Sequence, residues 1–383
     1  MSQANQPAQG EARPIAEKGL GAKTSLRVNE LDLLRFIAAL MVVMFHYGFR
    51  GYAADGYSLL SLPAYAPVSK YGYLGVELFF MISGFVILMT ASSGSLKKFV
   101  ISRIVRLYPA FWACCTITFA AIFIFGDSRF TATFSQYLIN LTMLNEFVGV
   151  RSIDGVYWSL AVEIHFYFFV ALVLLAGQIR HALWFLIAWL VISIALDVLP
   201  KEMFLMSRLR SMFIVDSAYY FIAGATCYLV RANGVSILKS LVILVTWLMA
   251  TWTSIQALGG LEARYQTTIN PLVVGLLISL FFAVVVLMSF KLTGFLAKKQ
   301  WITLGALTYP LYLLHQNLGY LNFNYWYGSV NEHILLWGTI AGILVLAYFV
   351  HEQVEARGGA QLKAFLDRLI EKLAKSEPQA AQP

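Results

Sequence analysis

The chain has 383 residues and a formal net charge of +8; residues of the AVILMFWYC set make up 59% of it and charged residues only 13%. An ordinary soluble domain carries about 25% charged residues, so this chain has too little polar surface to cover a water-exposed fold. Its lysines and arginines fall in short runs between apolar stretches, a pattern of membrane topology and not of a basic groove with interleaved aromatics, which excludes a nucleic-acid partner.

Residues 1–30 are polar and rich in Gly, Pro and Ala, without the apolar core of a signal peptide. They read as a disordered cytoplasmic tail, and the first span, from about Leu33, is expected to act as an uncleaved anchor. A helix needs about 20 apolar residues to cross a bilayer. Such stretches lie near 33–49, 71–91, 99–125, 155–177, 182–199, 212–230, 240–257, 268–290, 301–320 and 333–350. The stretch 134–147 is short and holds Gln136, Asn140, Asn145 and Glu146, so whether it crosses or re-enters is left open by its composition.

The charge bias decides the count. If 134–147 does not cross, then Lys97, Lys98, Arg180, Arg231, Lys239, Lys291, Lys298, Lys299 and the basic tail all lie on one side with the N-terminus. Positive residues favour the cytoplasmic side. The expected fold is therefore all-α, a polytopic membrane helical bundle of about ten transmembrane helices with both termini cytoplasmic. The membrane domain covers 31–350. Residues 351–383 form an amphipathic helix, with Leu362, Phe365, Leu366, Leu369, Ile370 and Leu373 at helical spacing, and a disordered tail. Cys114, Cys115 and Cys227 lie in apolar stretches and read as small buried hydrophobes, with no disulfide or metal role.

Ionisable groups inside spans are costly and mark function. In chain order, Arg35 and His46 lie eleven residues apart on one face of the first span, Arg35 at its inner end and His46 near its outer end. Glu77 follows in the glycine-containing run GYLGVELFFMISGF, where Gly72, Gly75 and Gly84 read as packing positions. Arg103 and Arg106 share the inner end of span three, beside Tyr108 and Pro109; paired arginines grip phosphates bidentately, and they also suit ordinary cytoplasmic anchoring. Trp158, Ser159 and Glu163 open span four, with Ser159 and Glu163 on one face. Glu163 and His46 fall at similar depth, so the two are expected to meet as a polarised His–Glu pair; a purely structural ion pair would fit as well. Late in the chain, Thr308, Tyr312 and His315 share a face of the span 301–320, suited to chemistry or to interhelical hydrogen bonds. The scattered histidines and cysteines fit no metal site.

The ordered set resembles the acyltransferase 3 family of membrane acyltransferases. The resemblance runs from about 32 to 315 and is carried by Asp32, Arg35, Ala38 and His46; Gly75 to Phe85; the intact Arg-x-x-Arg-Leu-Tyr-Pro of Arg103 to Pro109; the intact Trp-Ser-Leu-x-x-Glu-x-x-Phe-Tyr of Trp158 to Tyr167; and Tyr309, Tyr312, Leu313 and His315. The chain departs from the family at Leu33, where many members have glycine. It also departs after the last span, where Glu355-Ala356-Arg357 lacks the family's proline and the last helix is free to run on into the tail. Neither departure touches the residues the chemistry is expected to use.

The resemblance implies an acyl-CoA donor, usually acetyl-CoA, arriving from the cytoplasm, and a carbohydrate hydroxyl as acceptor, on an envelope or exported polysaccharide in the bacterial inner membrane. In that frame His46 and Glu163 are the catalytic candidates, with His46 as base or as the covalent acyl carrier. Arg35, Arg103, Arg106 and Tyr108 are the donor-binding candidates, and Trp158, Ser159, Tyr312, His315 and Glu77 line the substrate path. Acylation of a small molecule such as a macrolide or a nodulation-type oligosaccharide is a second enzymatic reading. A proton-coupled carrier of a sugar-containing compound is the reading from another class. The oligomeric state is left open.

Overall fold

The computed structural model describes residues 28–54, 56–199 and 204–376. Most of the expected N-terminal tail therefore lies outside the described residues. Among those described there is helix and no strand, as a bilayer demands of any spanning segment that does not close into a barrel.

The main helices are α1 (Asn29–Phe45), α2 (Gly75–Ala91), α3 (Leu96–Phe125), α4 (Phe134–Asn140), α5 (Trp158–Leu175), α6 (Ala182–Val198), α7 (Phe204–Met212), α8 (Val215–Asn233), α9 (Ile237–Gln256), α10 (Pro271–Ser289), α11 (Trp301–Trp326), α12 (Glu332–Val350) and α13 (Ala356–Ser376). Nine helical segments among the described residues are long and apolar enough to cross a membrane. Helix α11 adds a tenth of sufficient length, 26 residues, but it is more polar than the others because of Thr308, Tyr312, His315, Gln316 and Asn317. All five of these side chains are buried. A polar helix at membrane depth is tolerated where other helices surround it. Accordingly α11 packs on α1, α3 and α12.

The other inner helix is α8, buried along almost its whole length. It crosses α2 where Gly84 faces Gly224. A Cβ on Gly224 would overlap the Met81 carbonyl oxygen, and one on Gly84 would overlap that of Phe221. Lipid offers no hydrophobic force to press helices together, so close backbone contact at small residues supplies the packing.

Helix α4 has seven residues, about 10 Å of rise, far short of a bilayer core. It re-enters along α3. Tyr137 stacks on Phe119 at 4.5 Å, Trp112 Nε1 donates to Leu141 O at 2.9 Å, and Tyr108 Oη donates to Thr142 O at 2.9 Å. The polar residues that made this stretch unsuited to spanning tie the hairpin together. Asn140 Nδ2 donates to Arg151 O at 3.1 Å and its Oδ1 accepts from Ile153 N at 2.9 Å, while Asn145 Nδ2 donates to Ser152 Oγ at 2.9 Å.

After α12 the chain does not break. A π-helical turn, His351–Glu355, leads directly into α13, which packs against α3. The missing proline thus has the consequence expected: the last helix continues.

Candidate active site

Helices α1, α2, α3, α5 and α11 enclose a cavity of about 100 Å³ lined by Arg35, Ser83, Arg103, Arg106, Ser159, Glu163, Thr308 and Tyr312. The arginines stand toward the end of the bundle where α1 and α3 begin, here the near end, which the charge bias assigns to the cytoplasm. Arg35 lies 3.7 Å from Asp32, one turn back. Arg103 lies over the Tyr167 ring at 5.8 Å and reaches Thr90 Oγ1 at 3.4 Å. Glu163 accepts from Ser83 Oγ at 2.8 Å. Three guanidinium groups stand around Glu163, two of them with a carboxylate of their own, Arg35 with Asp32 and Arg106 with Glu355; their N–H groups are donors suited to a negatively charged ligand.

Toward the far end stands a second polar cluster. His46 opens a π-helical turn, His46–Arg50, that extends α1; π turns recur at functional sites. His46 Nδ1 lies 2.8 Å from Val42 O and 3.1 Å from His315 Nε2. His46 Nε2 lies 3.2 Å from Arg50 Nη1, and His315 Nδ1 lies 2.8 Å from Tyr312 O. A carbonyl and a guanidinium fix the tautomers by elimination. His315 Nδ1–H donates to Tyr312 O, which leaves its Nε2 to accept from His46 Nδ1–H. His46 Nε2 then carries the lone pair, presented to Arg50. Tyr312 links the two clusters, because its Oη lies 2.7 Å from Ser159 Oγ and both residues line the cavity.

Comparison with known proteins gives the family. The acyltransferase 3 family, described as an acyltransferase domain, matches residues 28–352. The chain belongs to this family. It is similar to Nodulation protein 10 of Rhizobium leguminosarum bv. viciae, 28% identical over 162 residues, 36% of this chain and 42% of that protein. It is also similar to ORF330 of Acidianus two-tailed virus, a protein named as a candidate acetyltransferase, 28% identical over 152 residues, 39% of this chain and 42% of that one. The chain therefore spans under half the length of the curated relatives it matches. No solved structure matches it.

Four expectations need correction. His46 and Glu163 do not form a pair: α1 packs on α11 and α2, whereas α5 packs on α2 and α3. His46 meets His315 and Arg50 instead, and Glu163 meets Ser83. Tyr108 faces the α4 hairpin and not the cavity, because it projects from the side of α3 turned away from the one that carries Arg103, Arg106 and Leu107 to the lining. Glu77 also stays outside the cavity lining, near Tyr73 and Tyr220, and its Oε2 has no hydrogen-bond partner among the described residues. Trp158 is not in this lining but in that of another cavity, beside Ala161 and His165.

Three further residues carry no weight in the sequence reading. Arg50 is signalled by its i+4 spacing from His46. Asp154, fully buried, accepts from Asn317 N at 3.0 Å and Val156 N at 3.2 Å; burial pushes its carboxyl up to about 7 against those two hydrogen bonds. It ties the start of α5 to α11 beside the histidines. Glu355, set aside as a departure from the pattern, lies 3.3 Å from Arg106 and 3.0 Å from His351. The π-helical turn before α13 thus anchors one of the cavity's arginines. Arg106 is partly solvent-exposed, so the pair is expected to couple by only about 1 kcal/mol. Thermal melts of Arg106→Ala, Glu355→Ala and the double variant check this; strictly additive losses would show no coupling.

Proposed function

We propose that this chain is an O-acyltransferase, most simply an O-acetyltransferase, of the bacterial inner membrane. It would move an acyl group from cytoplasmic acyl-CoA to a hydroxyl of an envelope or exported polysaccharide. The observation that carries the reading is the convergence of Arg35, Arg103 and Arg106 with Ser159, Glu163 and Tyr312 on one cavity. A carrier has no evident need for three guanidinium groups at one end of its path, whereas the phosphates of acyl-CoA do. Ligand pockets for drug-sized molecules run from roughly 300 to 1,000 Å³. A cavity of about 100 Å³ suits the acyl thioester end alone, with the nucleotide at the near-end mouth beside Arg106.

In this reading His46 Nε2 removes the proton of the acceptor hydroxyl once that hydroxyl takes the place of Arg50. The acceptor oxygen bonds to the thioester carbonyl carbon, the C–S bond breaks, and the CoA thiolate leaves and takes up the proton. His315 orients His46 and shares the imidazolium charge, the part assigned from sequence to Glu163. The hydroxyls of Ser159 and Tyr312 and the guanidinium of Arg35 are placed to meet negative charge on the carbonyl oxygen.

The test is binding of acetyl-CoA to the detergent-purified protein, followed by transfer of label from acetyl-CoA to envelope glycan in inverted vesicles. Arg106→Ala is expected to weaken acetyl-CoA binding about tenfold, the loss of one charge-assisted contact. No binding by folded wild type would sink the acyl-CoA reading and return the carrier. Wild-type affinity in Arg106→Ala would remove that residue from the donor site.

A further inference from the structure

Helix α5 has a second face. While Ser159 and Glu163 look into the arginine cavity, Trp158, Ala161, Val162 and His165 line another cavity, of about 690 Å³, between α5, α7 and the start of α8. We propose that this second cavity is the binding site for the carbohydrate acceptor, and that Trp158 forms the partition between acceptor and donor. The inference rests on the O-acyltransferase reading and adds where the sugar sits.

The lining has the chemistry of a sugar site. Phe147 and His165 stack with ring centroids 4.7 Å apart and an interplanar angle of 29°, and Trp158 is 43% exposed. Flat apolar rings meet the C–H faces of a pyranose, while carboxylates, guanidinium and hydroxyl groups meet its hydroxyls. Those polar groups are Glu146, Arg208 and Asp216, together with serines 207, 211 and 217. With Arg210, these charges are two of each sign, so the cavity suits a neutral polyhydroxylated ligand better than a nucleotide. The volume lies within the range of ligand pockets.

The wall is held by ion pairs and does not depend on a ligand. Arg210 bridges Asp197 at 2.5 Å and Asp216 at 2.6 Å, and Tyr219 Oη also donates to Asp197. Trp189 Nε1 donates to Phe213 O at 2.9 Å, and Ser152 Oγ donates to Glu146 at 2.6 Å. The first four bonds join α6 to the α7–α8 connection, and the last is internal to the hairpin that carries Glu146 and Phe147.

Position supplies the link to the reaction. The cavity lies toward the far end, opposite the mouth beside Arg106. Phe80 lines the arginine cavity and Trp158 the second one; their rings meet edge to face at 6.2 Å. Ser159, the next residue, is bonded to Tyr312. A sugar stacked in the second cavity would lie against Trp158, one residue from Ser159 of the arginine cavity, and rotation of Trp158 would bring its hydroxyls toward the acyl group.

The experiment compares wild type with Phe147→Ala and Arg208→Ala in transfer from labelled acetyl-CoA to envelope glycan. The glycan is offered both as lipid-linked material and as delipidated fragments. Each variant is expected to raise KM for the glycan about tenfold and to leave kcat and the KM for acetyl-CoA unchanged. A shift confined to the lipid-linked form would give the membrane anchor part of the recognition; a shift with both places it in the sugar. Unchanged KM for both forms in both folded variants overturns the proposal.

Should either variant fail to fold, Ser211→Cys serves, since Ser211 is exposed and Cys114, Cys115 and Cys227 are buried. Glycan is expected to slow alkylation of the introduced thiol by a maleimide, and alkylation is expected to block transfer. Transfer by the fully alkylated protein at the unmodified rate also overturns the proposal. Folded wild type that fails to bind acetyl-CoA would instead sink the acyltransferase reading itself.

Discussion

Replacing His46 by alanine is expected to lower acyl transfer by roughly 10²–10⁴-fold, the contribution of a positioned general base, with acetyl-CoA affinity held at the wild-type level. The imidazole is buried and lies outside the lining of the arginine cavity, so its loss leaves the donor contacts in place. His315→Ala is expected to cost less, about 10–100-fold, a loss of the size seen when a partner that orients a reacting histidine is removed. It would leave His46 Nδ1 with Val42 O alone. His315→Gln, which keeps an acceptor near His46 Nδ1, is expected to recover part of that loss. Labelled acetyl-CoA, envelope glycan and inverted vesicles at matched protein give the readout. Transfer that survives His46→Ala and vanishes in His315→Ala would exchange the two roles. Transfer that survives both would remove the histidine pair from the chemistry.

The second large effect is on folding. Gly224→Leu is expected to yield no monodisperse protein after extraction, and Gly224→Ala to destabilise by about 3 kcal/mol or more. The obstacle to a Cβ there is the backbone of α2, at the Met81 carbonyl; a backbone cannot swing aside as a side chain does, so the helices must separate. Overpacking of a side-chain core costs roughly 1–3 kcal/mol, and loss of a close helix crossing also forfeits the packing that holds membrane helices together. Gly260→Ala is the control, because a Cβ there meets nothing within 4 Å. Size-exclusion profiles and thermal melts in detergent decide it. A Gly224→Leu protein as stable as the Gly260→Ala protein would show that α2 and α8 do not cross this closely.

Much of this molecule is legible in its residues one by one. The spans follow from runs of apolar side chains, since a bilayer leaves no other solution for a backbone that must satisfy its own hydrogen bonds. The run 301–320, the least apolar of them, could be recognised as an inner helix by the cost of Thr308, Tyr312 and His315 in lipid. The same cost singled out Arg35, His46, Arg103, Arg106, Ser159 and Glu163, and most of these do converge on two adjoining clusters.

What could not be read was who meets whom. Depth along a helix is set by counting residues from its end, and by that count His46 and Glu163 are level. Lateral neighbours are set by which small and large side chains let helices approach, and α11 takes the place beside α1 that Glu163 would have needed. So His46 pairs with a residue 269 positions away, and Arg106 pairs with Glu355, 249 positions on by residue number. Tyr108 turns outward because one residue along a helix rotates a side chain by about 100°, and the re-entrant hairpin is there to take its hydroxyl. The sequence by itself determined a many-span α-helical membrane protein and singled out the polar residues that are costly in its spans. The tertiary structure alone decided their partners, because helix packing in a membrane depends on close fit between surfaces far apart in the chain and not on the local pattern of either one.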